Sequence, residues 1–265
     1  MSEHSGLAVV TGASSGIGRA LAAVFVEEGF DVVVCAEGAD IAAAGHELGA
    51  TGRRVTTVQA DLATFEGVEQ LVSAAQGVGM PIDALAVNAG VGTGDRFIDR
   101  QLEEHLRLIA LNVTGAVHLT RRLLPAMVDR GRGRLLFTSS IAATMPAPYE
   151  STYGASKAFL QSFSQALRHE LADTGVTVTA LMPGPTETRF FERAGLEHTW
   201  VGQSKKDDPA EVARQGFEAM MAGKDHVVAG SFKNRVQAGA ARVLPERASA
   251  AAHARMAKPR AIVDS

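Results

Sequence analysis

Tyr153 and Lys157 stand in the run Tyr153-Gly-Ala-Ser-Lys157, near the start of a helical pattern from Thr152 to Leu171. Residues four apart on a helix share a face, so the phenol and the ammonium are neighbours. A tyrosine ordinarily ionises near pH ~10, too high for a useful base at neutrality. A cation beside it favours the phenolate and brings that value down into the range of acid–base catalysis. The pair therefore predicts proton transfer. Taken alone, Tyr-x-x-x-Lys is also ordinary helix packing, so its weight depends on what surrounds it.

A second run, Thr11-Gly12-Ala13-Ser14-Ser15-Gly16-Ile17-Gly18, follows an apolar segment and opens a helical one. Gly12 permits a tight turn, Gly16 lets a phosphate approach the backbone, and Gly18 allows close packing of helix on strand. The helix N-terminus adds free N–H groups and a positive dipole end. A plain strand-to-helix turn could be spelled the same way. Its place after the first strand of an α/β chain favours a nucleotide.

The elements that must position these groups alternate along the chain. Strand patterns cover Leu7–Thr11, Asp31–Cys35, Arg54–Gln59, Ile82–Val87, Arg134–Ser139 and Val176–Met182, with a short last one at Val227-Val228. Helical patterns cover Ile17–Glu28, Ile41–Leu48, Val68–Ala75, Leu102–Leu124, Thr152–Leu171 and Ala210–Met221. Strands that are apolar throughout are buried on both faces, which means a parallel sheet between helical layers. Short strand–helix alternation implies right-handed crossovers. The expected fold is a doubly wound α/β sheet with helices on both faces, residues 1–265 forming one domain. Ligands of such sheets bind beyond the carboxyl ends of the strands.

The bulk numbers exclude other classes. The 265 residues carry a net charge of −3 and a charged fraction of 21%, unlike a nucleic-acid binder with a basic face. No apolar run reaches the ~18 residues of a membrane span. The stretch Leu7–Val10 is too short for a signal-peptide core. Cys35, the one cysteine, allows no intrachain disulfide and fits a reducing, cytoplasmic setting. The eight histidines show no metal-ligand spacing.

The spelling Thr11-Gly-Ala-Ser-Ser-Gly-Ile-Gly18, followed in order by Asn88-Ala89-Gly90, Ser139-Ser140, Tyr153-x-x-x-Lys157 and Pro183-Gly184, resembles the short-chain dehydrogenase/reductase family. The likeness runs from Leu7 to about Thr188. It implies nicotinamide-dependent hydride transfer between a secondary alcohol and a ketone. Ser140, 13 residues before Tyr153, is taken over Ser139 because the family shows that spacing. In the family pattern Ser140 holds the reacting oxygen, Tyr153 passes the proton, and Lys157 acidifies Tyr153 and fixes the ribose. Asn112 kinks its helix and holds a water linking Lys157 to solvent, or is simply a satisfied interior Asn. Asp61-Leu62 holds the adenine or caps a helix, and the two are compatible. Asn88 braces strands, while Ala89 and Gly90 leave room. Ser14, Ser15, Ile17, Pro183, Gly184, Thr186 and Thr188 complete the expected cofactor contacts, Thr188 at the carboxamide.

Glu37 ends the second strand, where family members that use NADP commonly carry Arg. A carboxylate there repels a 2′-phosphate and accepts from a free 2′-hydroxyl. NAD is thus expected, with NADP left open by Arg19, Arg53 and Arg54. A substrate loop is expected at 188–206. Met145, Phe190 and Phe191, with Tyr153 and Ser140, predict a hydrophobic pocket without a charged anchor, unless Arg193 or His198 binds an acid. Val236, Ala240, Val243 and Leu244 suggest an amphipathic helix in a C-terminal extension, 232–265, broken near Pro245, serving as cover, lid or subunit contact. Family members pair through the helices holding Asn112 and Tyr153, which implies a homodimer or homotetramer. Two rivals are an epimerase or dehydratase with tightly held NAD and a non-enzymatic dinucleotide sensor. The first usually carries a Gly-x-x-Gly-x-x-Gly turn, the second tends to lose the Tyr or Lys, and neither departure is found here.

Overall fold

The computed structural model of the chain describes residues 6–241 and 244–258. It begins with β1 (Leu7–Thr11), α1 (Gly16–Glu27), β2 (Asp31–Ala36), α2 (Asp40–Gly49), β3 (Val55–Gln59), α3 (Phe65–Gly77) and β4 (Ile82–Val87). Next come α4 (Leu102–Ile109), α5 (Ala116–Asp129), β5 (Gly133–Thr138), α6 (Ser151–Glu170) and β6 (Val176–Pro183). Short α7 (Phe190–Arg193) and α8 (Trp200–Gln203) precede α9 (Pro209–Met221), β7 (His226–Ala229), α10 (Phe232–Ala241) and α11 (Glu246–Ala257).

Every residue of β1, β2 and β4 is buried. The pleat sends alternate side chains to opposite faces, so each strand feeds two cores. Leu7, Val9, Val33, Leu85 and Phe137 pack on one side, against α3, α5 and α6. Ala8, Val10, Val32, Val34 and Leu136 pack on the other, against α1, α2 and α9. There Phe25 of α1 meets Phe30 and Phe217 edge-on, with centroids 5.2 and 5.1 Å away. Burying each such ring contributes on the order of 2–3 kcal/mol.

All seven strands are parallel, in the order β3-β2-β1-β4-β5-β6-β7. The order reverses between β1 and β4, so a crevice opens beyond their carboxyl ends. The expected doubly wound sheet is thereby found, with strand boundaries within a residue of the sequence reading.

Two segments depart from it. The helix expected over Leu102–Leu124 is interrupted by a π-helical segment, Ala110–Gly115, and α5 runs on through Pro125 to Asp129. Asn112 lies in that π segment, where one wide turn delivers a buried side chain inward. The C-terminal break does fall at Pro245, but Val236 and Leu244 are exposed while Asn234 and Ala238 turn inward. The apolar stripe expected there is therefore not the buried face; Val243 and residues 259–265 lie outside the described residues, and so does any structural account of Ala240's side chain. Among the described residues no helix is long and apolar enough to cross a membrane.

Candidate active site

The crevice is a cavity of about 790 Å³ lined from both sides of the switch point. At its floor the turn between β1 and α1 holds Gly12 at φ +68° and Gly16 at φ +56°, left-handed values that only glycine adopts freely. A side chain at Gly18 would collide with the Gly12 carbonyl and with Asn88. Ser15 caps α1 without a side-chain hydrogen bond, and the first turn carries no acidic residue. The turn thus presents bare amides and room, the donor set a pyrophosphate requires. Ser14, Ser15, Ile17, Ala89 and Gly90 line the same cavity.

Asn88 ties three strands together. Its Nδ2 donates to the Thr11 carbonyl at 3.1 Å, and its Oδ1 accepts from Thr138 Oγ1 at 3.0 Å. Its backbone N–H and that of Ala89 both donate to Thr11 Oγ1 at 2.9 Å. This is the bracing expected of it.

Opposite the turn, Pro183, Gly184, Thr186 and Thr188 form the far wall. Thr188 lies against Gly16, and Gly184 packs on Asn234 of α10. Asn234 is buried and donates to the Ala229 carbonyl at 2.9 Å and to Asp207 at 2.6 Å. Arg189 reaches Asp40 at 2.7 Å and so bridges the mouth of the cleft.

At one end lie Glu37, Asp61 and Leu62. Arg107 of α4 donates to Glu37 Oε1 at 2.8 Å and to Asp61 Oδ2 at 2.9 Å. Burial works against ionisation of Asp61, but the Arg107 guanidinium and the Ala63 N–H outweigh it and hold its carboxyl below the usual range. Asp61 also takes the Ala63 N–H at 2.9 Å in a local turn, but it does not cap α3 as the sequence allowed: the cap is Thr64, whose hydroxyl accepts from the Gly67 N–H. Arg107 escaped the sequence reading because it stands 46 residues from Asp61 and 70 from Glu37. Arg19, one of the cations that kept NADP open, is instead paired with Glu47.

At the other end lie Ser140, Tyr153 and Lys157. Ser140 lies close enough to the Tyr153 hydroxyl to favour its phenolate, and its Oγ accepts from the Ala142 N–H at 3.1 Å. Ser139 turns away and donates to the Lys157 carbonyl at 2.8 Å, fixing α6 to β5. Lys157 Nζ donates to the Thr138 carbonyl at 2.8 Å and sits 5.7 Å from the Tyr153 ring centroid. Asn112 is fully buried behind them, donating to the Val91 carbonyl and to Ser156 Oγ while accepting from the Val91 N–H. A side chain at Gly90 would crowd Asn112 Oδ1 and Lys157 Nζ, 3.1 and 3.2 Å from its first carbon, so the glycine lets both groups lie close to the backbone.

Burial, then the Glu150 carboxylate, push the Tyr153 phenol above its ordinary value, and the Ser140 hydrogen bond only partly offsets them. Burial also brings the Lys157 ammonium down to about 8. In the chain alone, then, desolvation of the phenolate outweighs what lowers the Tyr153 pKa; the lowering expected from Lys157 together with an oxidised nicotinamide concerns the loaded site.

Met145, Phe190, Phe191 and Trp200 supply apolar wall. The Phe190 ring lies 5.1 Å from that of Tyr153, so the segment after β6 reaches the reactive end. The wall is not free of charge, however. Glu150 and His253 line it as well, with Arg193 nearer the mouth. The expectation of no charged anchor fails here, since the fold inserts α11 beside α6. His198 is exposed and outside the cavity lining. No group of three or more His, Cys, Asp and Glu among the described residues could hold a metal ion.

The profile of the short chain dehydrogenases matches residues 6–198. The chain belongs to that family. It is 34% identical over 214 residues to an oxidoreductase, UcpA, of Salmonella typhimurium, covering 80% of this chain and 79% of the relative. Among solved structures it is similar to a short-chain dehydrogenase from Sphingobium yanoikuyae in complex with NADPH, with a TM-score of 0.78, 29% identity, and 84% and 87% of the two chains covered. A 3-ketoacyl-(acyl-carrier-protein) reductase from Brucella melitensis complexed with NADH is similar at a TM-score of 0.75 and 27% identity, with 85% and 97% covered. This short-chain dehydrogenase is therefore an oxidoreductase built on a doubly wound sheet.

Proposed function

We propose that this short-chain dehydrogenase interconverts a secondary alcohol and a ketone of hydrophobic body, with NAD as cofactor. The observation that carries the reading is that Ser140, Tyr153 and Lys157 together line one end of a cavity whose floor is the Gly12–Gly18 turn. A nicotinamide ring bound there supplies the hydride.

The chain's own residues do the rest. Amides of the turn and of the start of α1 hold the pyrophosphate. Lys157 and Tyr153 face the ribose, and Thr188 the carboxamide. Ser140 hydrogen-bonds the substrate oxygen and stabilises the charge that develops there. Tyr153 gives that oxygen its proton in reduction and accepts it in oxidation. Lys157 restores the proton, with Asn112 and a water linking it to solvent. A cofactor cation beside Tyr153 would add the opposite charge that the chain alone does not supply in sufficient strength.

NAD is favoured because the Glu37 carboxylate, held in place by Arg107, would meet a 2′-phosphate with like charge. The segment 188–206 is read as the substrate loop and α10 with α11 as a C-terminal extension that walls the site. Leu102, Leu106 and Ile109 are exposed at helical spacing on α4, as is Phe159 on α6, which supports a homodimer or homotetramer through these helices. A cytoplasmic setting accords with the buried lone Cys35, whose thiol burial raises to about 12.

The test is absorbance at 340 nm with NADH or NADPH and a panel of hydrophobic ketones. Turnover with NADH is expected. Turnover with NADPH alone would overturn the cofactor assignment, and no turnover despite cofactor binding would overturn the activity.

A further inference from the structure

Glu150 is a carboxylate only 6% exposed, placed at the N-terminus of α6 three residues before Tyr153. Buried carboxylates need partners for several lone pairs. One oxygen has a partner, for Glu150 Oε2 lies 3.1 Å from His253 Nε2. The other, Oε1, has none among the described residues, yet Glu150 lines the cavity that holds Ser140 and Tyr153. Its charge also acts on the Tyr153 hydroxyl.

His253 arrives from the C-terminal helix, 103 residues away in sequence, and is itself 7% exposed. Ser249, His253 and Ala257 form the inward stripe of α11, whose other positions are exposed or half-buried. The helix thus brings one imidazole to one carboxylate, with Met256 and Ala257 lining the same cavity. Tyr149, just before Glu150, is held at φ +69°, a left-handed conformation costly for a bulky residue, so the backbone is turned to present Glu150 inward.

A purely apolar substrate would leave Oε1 desolvated and unpaired, whereas a hydroxyl would satisfy it. We propose that Glu150, oriented by His253, is a subsite for a second hydroxyl of the substrate, so that the preferred substrates are hydroxy-ketones and diols. This rests on the alcohol–ketone reading above and narrows it.

The experiment compares cyclohexanol with 1,2-, 1,3- and 1,4-cyclohexanediol, using NAD and the full chain, by kcat/KM and by calorimetric binding to the NAD-loaded protein. At least one diol is expected to exceed cyclohexanol about tenfold or more in both measurements, because a site built around a hydroxyl rejects its deoxy analogue. Glu150→Ala should collapse that ratio to near one, and Glu150→Gln, which keeps an acceptor, should retain part of it. His253→Ala should reduce the ratio through loss of orientation, with thermal unfolding confirming that each variant folds. If Glu150→Ala does not fold, the other two variants carry the comparison. Turnover of all four compounds without a diol preference, or a preference unchanged by these substitutions, overturns the subsite while leaving the oxidoreductase reading intact. Absence of turnover sinks the alcohol reading for this panel, and the binding ratio then decides the subsite, with equal or undetectable binding counting against it.

Discussion

The two ends of the cleft handle charge in opposite ways. At the Glu37 end, a carboxylate with 65% of its side chain exposed and another with 29% share one guanidinium, Arg107. Such pairs are screened and weak, commonly within ~1 kcal/mol. At the Tyr153 end, Lys157 and Glu150 are 4% and 6% exposed, and burial drives Lys157 down to about 8. Charge at the first end is, on the proposed reading, what selects between the two cofactors. Charge at the second is held under desolvation, where it can serve a reaction at the cost of stability.

Substitutions should separate the two. Lys157→Met should have the largest effect, with kcat falling on the order of 10²-fold or more, since proton-transfer groups contribute ~10²–10⁴. Yet the variant should resist denaturant better at pH 7. The sign follows from linkage. Lys157 titrates near 8 in the fold against a reference value of 10.5, so the unfolded chain binds more protons between those values. Wild-type stability should therefore rise from pH 8 toward 10, by up to roughly 3 kcal/mol in gross terms. The raised phenol of Tyr153 works in the other direction above about pH 10, where the unfolded tyrosine ionises first. Urea unfolding at pH 7, 8, 9 and 10 checks both variant and slope. A variant no more stable than wild type would show that the hydrogen bond from Lys157 to Thr138 outweighs its desolvation.

At the other end the effects are smaller and concern choice. Glu37→Ala should shift the NADPH-to-NADH ratio of kcat/KM toward NADPH by about tenfold, the equivalent of ~1.4 kcal/mol, with kcat for NADH little changed. An unchanged ratio would show that Arg107 already cancels the carboxylate. Smallest of all, Arg107→Gln should alter unfolding stability by less than about 1 kcal/mol. A larger loss would mean the two ends differ less than their exposure implies.

Much of this site was legible in the sequence because the groups sit at strand ends in chain order. Uniformly apolar strands implied a sheet covered on both faces, and such a sheet puts the Gly12–Gly18 turn, Asn88, Ser140 and Thr188 at one edge. What stayed hidden depended on contacts between distant segments. Arg107 looked like an ordinary helix surface residue until α4 packed beside the ends of β2 and β3. His253 sits in an alanine-rich stretch beyond Pro245, for which the sequence suggested no inward face. Glu150 stands three residues from Tyr153, close enough to have been weighed, but nothing local marks it as buried. The desolvation that raises Tyr153 in the chain alone is imposed only by the folded surroundings. The π segment at Asn112 likewise leaves no mark in hydrophobic periodicity beyond an Asn on an apolar face.

The central claim is that cofactor choice and proton transfer reside at separable ends, with Tyr153 as the proton donor. The most direct test is Tyr153→Phe, measuring NADH affinity by nicotinamide fluorescence and ketone turnover at 340 nm on the same preparation. The account predicts turnover down about 10²–10⁴-fold with NADH affinity within a few-fold of wild type. Turnover that survives the loss of the hydroxyl would contradict it.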